Sequence, residues 1–261
     1  MKILIKVSGK MTKKANFLPI AEEIAELKDN GHQVIVVHGG GNEISEMLDK
    51  LGIETKFVNG LRVTTQEVLK VVEMVLCGVV NKRLVSAMQE AGVPSIGISG
   101  KDGNFIEAEM YDPALGYVGK IKRVNTHIVE NILSTGYVPV IAPVGTDRHG
   151  NSLNINADTV ASSVAGALGV DHLFLITDVP GIIDNEGNII SVITLDEIDK
   201  LASADFIKGG MIPKLKAARD SLIQGTEFVH IINWTGKGSI KDQLINMAKG
   251  TTLRRSYSWV M

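Results

Sequence analysis

Six short apolar runs rich in β-branched residues punctuate the chain, at 3–7, 34–37, 95–98, 138–141, 173–176 and 228–232. Runs of this length without polar alternation suit strands buried on both faces. Between most of them lie amphipathic patterns of helical period, over 18–27, 43–51, 65–91, 127–133, 159–168, 211–223 and 240–247. The alternation predicts an α/β fold, an open and mainly parallel central sheet sandwiched by helices in three αβα layers. No linker, repeat or low-complexity tract divides the 261 residues, and the best boundary falls near 167–172. Two lobes sharing one sheet are expected, 1–168 and 169–261.

Composition acts by exclusion. With 27 Lys+Arg against 29 Asp+Glu the formal charge is −2, which argues against a general nucleic-acid binder. The nearly unbroken apolar run over 71–80 is too short to span a bilayer, and no signal-peptide core follows the first strand. A cytoplasmic protein without membrane partners is expected. A single cysteine, Cys77, rules out an internal disulfide or a cysteine-rich zinc site. The predicted helix over 65–91 is apolar nearly all round, so it is either a central core helix or one whose second face another subunit covers.

Glycine is in excess, at 27 residues or roughly a tenth of the chain against a typical ~7 %. Four clusters follow predicted strands or open predicted helices: Ser8-Gly9-Lys10, His38-Gly39-Gly40-Gly41-Asn42, Ser99-Gly100-Lys101-Asp102-Gly103-Asn104 and Lys208-Gly209-Gly210-Met211. In open α/β sheets ligands bind beyond the carboxyl ends of the strands. Glycine there lets backbone N–H groups reach an anion, and a helix N-terminus adds positive potential. The familiar alternatives fail. The second cluster lacks the third glycine of a dinucleotide fingerprint, and the Gly-Lys pairs ending at Lys10, Lys101, Lys120 and Lys237 lack the following Ser/Thr of a P-loop. The segment over 97–101 is no nucleophile elbow, and the six histidines have no metal-ligand spacing.

What remains is a set of charged residues without an evident nucleophile. Lys6 ends an apolar strand, where an ammonium either snorkels to the surface or meets an anionic partner. Lys214 lies one turn into a helix opened by Gly209-Gly210-Met211-Ile212-Pro213, with Pro213 suited to its first turn, where a cation opposes the helix dipole unless an anion binds. Asp158 reads either as a helix N-cap or as an acceptor fixing two lysines. Arg62 reads as a bidentate carboxylate clamp or as an exposed loop residue, and Asp178 as a cap or a contact to a ribose or base.

Together, Lys6-Val7-Ser8-Gly9, His38-Gly39-Gly40-Gly41, Asn59-Gly60-Leu61-Arg62-Val63-Thr64, Asn154-Ile155-Asn156-Ala157-Asp158, Thr177-Asp178-Val179-Pro180-Gly181-Ile182 and Gly209-Gly210-Met211-Ile212-Pro213-Lys214 resemble, in order and spacing, the amino acid kinase family. The narrower motifs, around Arg62, Asp158 and Lys214, point to its N-acetylglutamate-phosphorylating branch. The resemblance implies an amino-terminal lobe that binds N-acetyl-L-glutamate and mediates dimerisation, and a carboxyl-terminal lobe for ATP, with Mg2+ carried on the nucleotide. It implies that Gly40, Gly41, Arg62 and Asn154 hold the acyl-amino acid, and that Lys6 and Lys214 stabilise the transferring phosphoryl group while Asp158 holds both. Gly9, Asp178, Val179, Pro180, Gly181, Ile182, Ile183, Phe206, Ile207 and Lys208 would border ATP.

The implied reaction gives N-acetyl-L-glutamyl 5-phosphate, a step of L-arginine biosynthesis. A carboxylate attacks without a general base, which agrees with the lack of a histidine or aspartate suited to that role. Two departures stand out. Ser8 replaces a second glycine of many relatives, and the first strand begins at once, without the extra helix of arginine-inhibited hexamers. A homodimer without arginine inhibition is therefore expected. The alternatives are a kinase acting on aminoadipate or glutamate linked to an acidic carrier, and a non-catalytic amino-acid or nucleotide sensor. The near-neutral chain offers no basic block for such a carrier.

Overall fold

The computed structural model describes residues 1–202, 207, 211–247 and 249–256. The chain runs β1 (Lys2–Val7), α1 (Lys14–Asp29), β2 (Gln33–His38), α2 (Gly41–Lys50), β3 (Phe57–Val58), β4 (Leu61–Arg62), α3 (Gln66–Glu73), a π-helical turn (Met74–Val80), α4 (Asn81–Glu90) and β5 (Ser95–Ser99). It continues through β6 (Ile106–Met110), β7 (Gly119–Val124), α5 (His127–Ser134), β8 (Val138–Ala142), β9 (Val144–Thr146), β10 (Ser152–Asn154) and α6 (Ala157–Leu168). Then come β11 (His172–Thr177), β12 (Val192–Thr194), α7 (Leu195–Ala202), α8 (Met211–Gln224), β13 (Phe228–Asn233), α9 (Ser239–Asn246) and β14 (Thr251–Arg254).

The main sheet has eight strands in the order β12-β14-β13-β11-β1-β2-β8-β5, and all neighbours are parallel except β13 and β14. All six apolar runs are strands of it. From β1 the chain first builds outward through β2, then returns to lay β11 on the other side. The crevice between the ends of β1 and β11 is thus a topological switch point, where α/β sheets bind ligands.

Side chains alternate between the two faces. Ile3, Ile5, Val34, Val36, Phe174 and Ile176 pack with Phe17 and Ile24 of α1 and with Val72 and Leu84 of the α3–α4 helix. Leu4, Ile35, Val37, Leu173 and Leu175 pack on the opposite face with Val160 and Val164 of α6 and Leu215 and Leu222 of α8. Strand alternation therefore places Lys6 on the α6–α8 face with Leu4.

A second sheet, β10-β9-β6-β7, contributes Ile106, Ala108 and Leu153 to that layer. Its signal was an alternation of charge rather than an apolar run. Glu107 and Glu109 face Arg123 and Lys122 across β6 and β7, leaving Ile106 and Ala108 inward. The helical run over 65–91 resolves into α3, the π-helical turn and α4. Val68, Val72, Val75, Leu76 and Leu84 join the core, while Met74 and Val79 stay exposed. Among the described residues no helix is long and apolar enough to cross a membrane.

Gly97 of β5 shows how closely α4 lies on the sheet. A Cβ there would stand 1.9 Å from Oδ1 of Asn81, whose amide donates to the Val140 carbonyl at 2.8 Å. Gly97→Ala is expected to cost about 1–3 kcal/mol, seen as a lower denaturation midpoint; an unchanged midpoint would contradict the close approach.

Candidate active site

The centre is a buried triad of charges from three distant parts of the chain. Lys6 at the end of β1 meets Asp158 Oδ1 at 2.8 Å, and Lys214 in the first turn of α8 meets Oδ2 at 2.7 Å. Asp158 does not cap its helix. Asn156 does, its Oδ1 accepting from the N–H groups of Asp158 and Thr159 at 2.8 and 3.2 Å. The carboxylate is thereby left free to lie between the lysines. Burial alone would raise its pKa, but the ammonium groups outweigh burial and hold it down at about 2. Burial pushes Lys6 below the usual lysine range against the pull of Asp158, and the charge of Lys214 pushes the same way.

Beside this triad the loops after β1 and β2 are in backbone contact. A Cβ on Gly9 would lie 3.3 Å from the N atoms of both Gly40 and Gly41, and one on Gly39 would lie 3.0 Å from the Gly9 N. Gly40 is closed in from the other side, with Leu76 Cδ2 2.6 Å from where its Cβ would be. Leu76 belongs to the π-helical turn, a feature often found at functional sites. α2 opens at Gly41 without a side-chain cap, so its first N–H groups lack helical partners and can donate to an anion.

Arg62 borders the same helix start. Its guanidinium donates to the Gly41 carbonyl and to Ser45 Oγ, both at 2.9 Å, and lies 4.7 Å from the centroid of the Phe57 ring. It is buried, and among the described residues it forms no ion pair with a carboxylate. A desolvated cation without a carboxylate is suited to an anionic ligand. Asn154 ends β10 four residues before Asp158 and donates to Thr64 Oγ1 at 3.1 Å; Thr64 Oγ1 donates to the Arg62 carbonyl at 2.9 Å. Contacts thus join Gly9 to Gly40 and Gly41, Gly41 to Arg62, and Arg62 through Thr64 to Asn154, while Lys6, Asp158 and Lys214 form the triad.

The nucleotide-side expectations divide. Asp178 follows β11 and pairs with Lys10 at 2.6 Å; hydrogen bonding from Lys10 lowers its pKa. Val179 is half-buried, and Pro180 and Ile183 are exposed. Ile182 is buried, and its N–H donates to Thr251 Oγ1 at 2.8 Å, so its side chain and its N–H are both occupied by the fold. Ile207 packs into the core beside α8. Phe206 and Lys208 lie outside the described residues, as do Gly209 and Gly210.

Three supporting groups escaped the sequence reading. His38 is fully buried, and burial lowers its pKa to about 4, so it is neutral. Its Nδ1–H donates to the Gly39 carbonyl at 2.7 Å while Nε2 accepts from Asn81 at 3.3 Å; it props the glycine loop with both nitrogens engaged. Arg83 of α4 meets Glu43 of α2 at 3.1 Å, and Thr12 donates to the same Glu43 oxygen at 2.6 Å. That bridge ties the β1 loop to the start of α2. Only the third, Lys10, had a sequence signal, its Gly-Lys pair.

A model of the amino acid kinase family matches residues 1–233. The chain belongs to the amino acid kinase family. The acetylglutamate kinase of Geobacillus kaustophilus is 45 % identical over 233 residues, covering 89 % of this chain and 88 % of that one. Its counterpart from Clostridioides difficile is 40 % identical over 259 residues, covering 97 % and 91 %. The solved structure of smu.665 from Streptococcus mutans UA159 aligns with a TM-score of 0.83 at 31 % identity, over 98 % of this chain and 99 % of that one. Carbamate kinase from Giardia lamblia bound to AMP-PNP, with a TM-score of 0.74 at 16 % identity over 98 % of each chain, shares the fold alone. The expected family and α/β architecture are therefore both found.

The charge triad makes this amino acid kinase fold acid-sensitive. Asp158 titrates at about 2 in the folded chain against its ordinary 3.8. The stabilisation it supplies is complete above the ordinary value and disappears as pH falls through the folded one. Between pH 5 and 2 the wild type should lose about 2 kcal/mol that Asp158→Asn does not lose, measured by chemical denaturation at each pH. Parallel curves would refute the assignment.

Proposed function

We propose that the chain transfers the γ-phosphoryl group of ATP to the γ-carboxylate of N-acetyl-L-glutamate, giving N-acetyl-L-glutamyl 5-phosphate and ADP in L-arginine biosynthesis. The observation that carries this reading is Asp158 holding Lys6 and Lys214 side by side at 2.8 and 2.7 Å, next to the glycine loops and the carboxylate-free Arg62. The acetylglutamate kinases similar to this chain support the choice of acceptor.

In this reading Arg62 grips the α-carboxylate, with Asn154 completing the subsite and Gly40 and Gly41 offering N–H groups to the acceptor. A γ-carboxylate oxygen attacks the γ-phosphorus in line. The new P–O bond forms as the bond to the β–γ bridging oxygen breaks, and that oxygen leaves on ADP. No proton moves, because the nucleophile is already ionised at neutral pH. Catalysis is then positioning and charge neutralisation, by Lys6, Lys214, the amides near Gly9 and the Mg2+ that arrives on ATP. Residues 1–168 would supply the acceptor and dimer surfaces. Residues 169–261 would supply the ATP surface, bordered by the segment that starts at Asp178.

A substrate panel tests the reading, with acetylglutamate, glutamate, aspartate, carbamate, UMP and carrier-linked glutamate or aminoadipate offered with ATP and Mg2+. Turnover is expected with free acetylglutamate; turnover with another acceptor instead would replace the proposal. Lys214→Ala should lower ADP release dependent on acetylglutamate by on the order of 10²–10³ with the circular dichroism spectrum unchanged. Full turnover in that variant would sink the mechanism.

The assembly is proposed as a homodimer through the outward face of the α3–α4 helix, where Met74 is 57 % and Val79 47 % exposed and Ile96 of β5 39 %. Sedimentation equilibrium should give twice the chain mass of 28.1 kDa. A monomer, or a larger species unaffected by Val79→Glu, would refute this interface.

A further inference from the structure

We propose that Lys10 is a third lysine for the phosphate chain of the nucleotide, and that Asp178 is the carboxylate it exchanges for a phosphate oxygen. This rests on reading the site as a nucleotide-dependent carboxylate kinase. No step of the phosphoryl transfer described above uses Lys10.

Its place in the fold is the first argument. Lys10 follows β1 and Asp178 follows β11, and these neighbouring parallel strands flank the switch-point crevice of the sheet. The pair spans that crevice at 2.6 Å. Two other lysines preceded by glycine are held elsewhere. Lys101 is bound to Glu73 and Ser152, and Lys237 to Glu22 and Glu26. Lys10 alone of these three stands beside Gly9, whose backbone meets the amides of Gly40 and Gly41.

The second argument is mechanical. The backbone of Lys10 is fixed in a tight turn, Gly9–Met11, closed by Met11 N–H donating to the Ser8 carbonyl at 2.9 Å. Asn16 Nδ2 donates to the Lys10 carbonyl at 3.0 Å. The side chain beyond this anchor is free to move, 66 % exposed against 62 % for Asp178. An ion pair between groups so exposed contributes little stability, so a polyanion at the same place takes the lysine at small cost. By contrast, the buried Lys6 and Lys214 cannot leave Asp158 without stranding its charge.

The third argument is charge. Lys6, Lys214 and Asp158 together carry one net positive charge, while a triphosphate carries several negative ones. Asp178 also acts on Lys6, drawing its pKa upward, so the outer pair and the buried triad share one electrostatic field. Moving the Lys10 ammonium from Asp178 to a phosphate keeps that cation in contact with the site.

The test compares wild type, Lys10→Ala and Lys10→Arg by steady-state kinetics with each substrate varied. ATP binding without acceptor is followed by isothermal titration calorimetry, and melting temperature is recorded. Lys10→Ala is expected to raise the KM for ATP and weaken ATP binding by about tenfold, with kcat within about threefold. The KM for acetylglutamate should not move, and Lys10→Arg should restore most of the affinity. A lower melting temperature with unchanged ATP affinity would overturn the proposal in favour of a loop latch. Movement of the acetylglutamate KM alone would overturn it too. If the wild type binds ATP but does not phosphorylate acetylglutamate, the acceptor assignment fails while the calorimetric comparison still decides Lys10. If it binds no ATP, both fail.

Discussion

Burying two ammonium groups forces this site into its shape. On the α6–α8 face of the sheet Lys6 is buried and Lys214 largely withdrawn from water, which is tolerable because Asp158 lies between them. The carboxylate can sit there because Asn156 takes over the capping of α6. The three charges arrive from β1, α6 and α8, so the site exists only when the α6–α8 layer has packed on the sheet. An acyl-phosphate kinase needs no proton acceptor, and here the charged machinery is electrostatic throughout. The nearby histidine is held neutral and hydrogen-bonded at both nitrogens.

Parallel strands supply the second requirement, a place where backbone amides converge. β1 and β2 end side by side, so the loops beyond them must meet; they do so at a distance that glycine at 9 and 39 makes possible. The π-helical turn between α3 and α4 completes the enclosure by setting Leu76 against Gly40. The same long helix has its buried side in the core and its Met74 and Val79 side outward, so one element both packs on the sheet and leaves apolar side chains exposed. The core-helix reading of its apolar sequence holds for the buried side, and the subunit reading of the outward side is the interface proposed above.

Arg62 and Asn154 extend the surface away from the phosphoryl site through hydrogen bonds rather than charge. The path runs from Asn154 to Thr64 to the carbonyl of Arg62, and from the guanidinium to Gly41. Asn154 lies only four residues before Asp158, so the turn entering α6 would join the proposed acceptor pocket to the charge triad. Lys10 and Asp178 lie beyond the triad, across the opening between β1 and β11.

The sequence by itself determined the layered α/β fold, because buried parallel strands read as continuous apolar runs and their helices as amphipathic ones. It also exposed Lys6 and Lys214, since a cation in an apolar strand or at a helix start carries a visible cost, while Asp158 read equally as a cap. It did not show the second sheet, in which β6 and β7 alternate charged and apolar residues and β9 and β10 are three residues long, so all four look like loops. Nor could it assign Asn156 rather than Asp158 as the cap, or separate Ile182 and Ile207 as packing residues from neighbours that face the site. Those choices, together with the Arg83–Glu43–Thr12 bridge and the Lys10–Asp178 pair, were decided by tertiary structure alone. The physical reason is that a side chain's role follows from which groups share its space, and local periodicity gives only the direction in which it points.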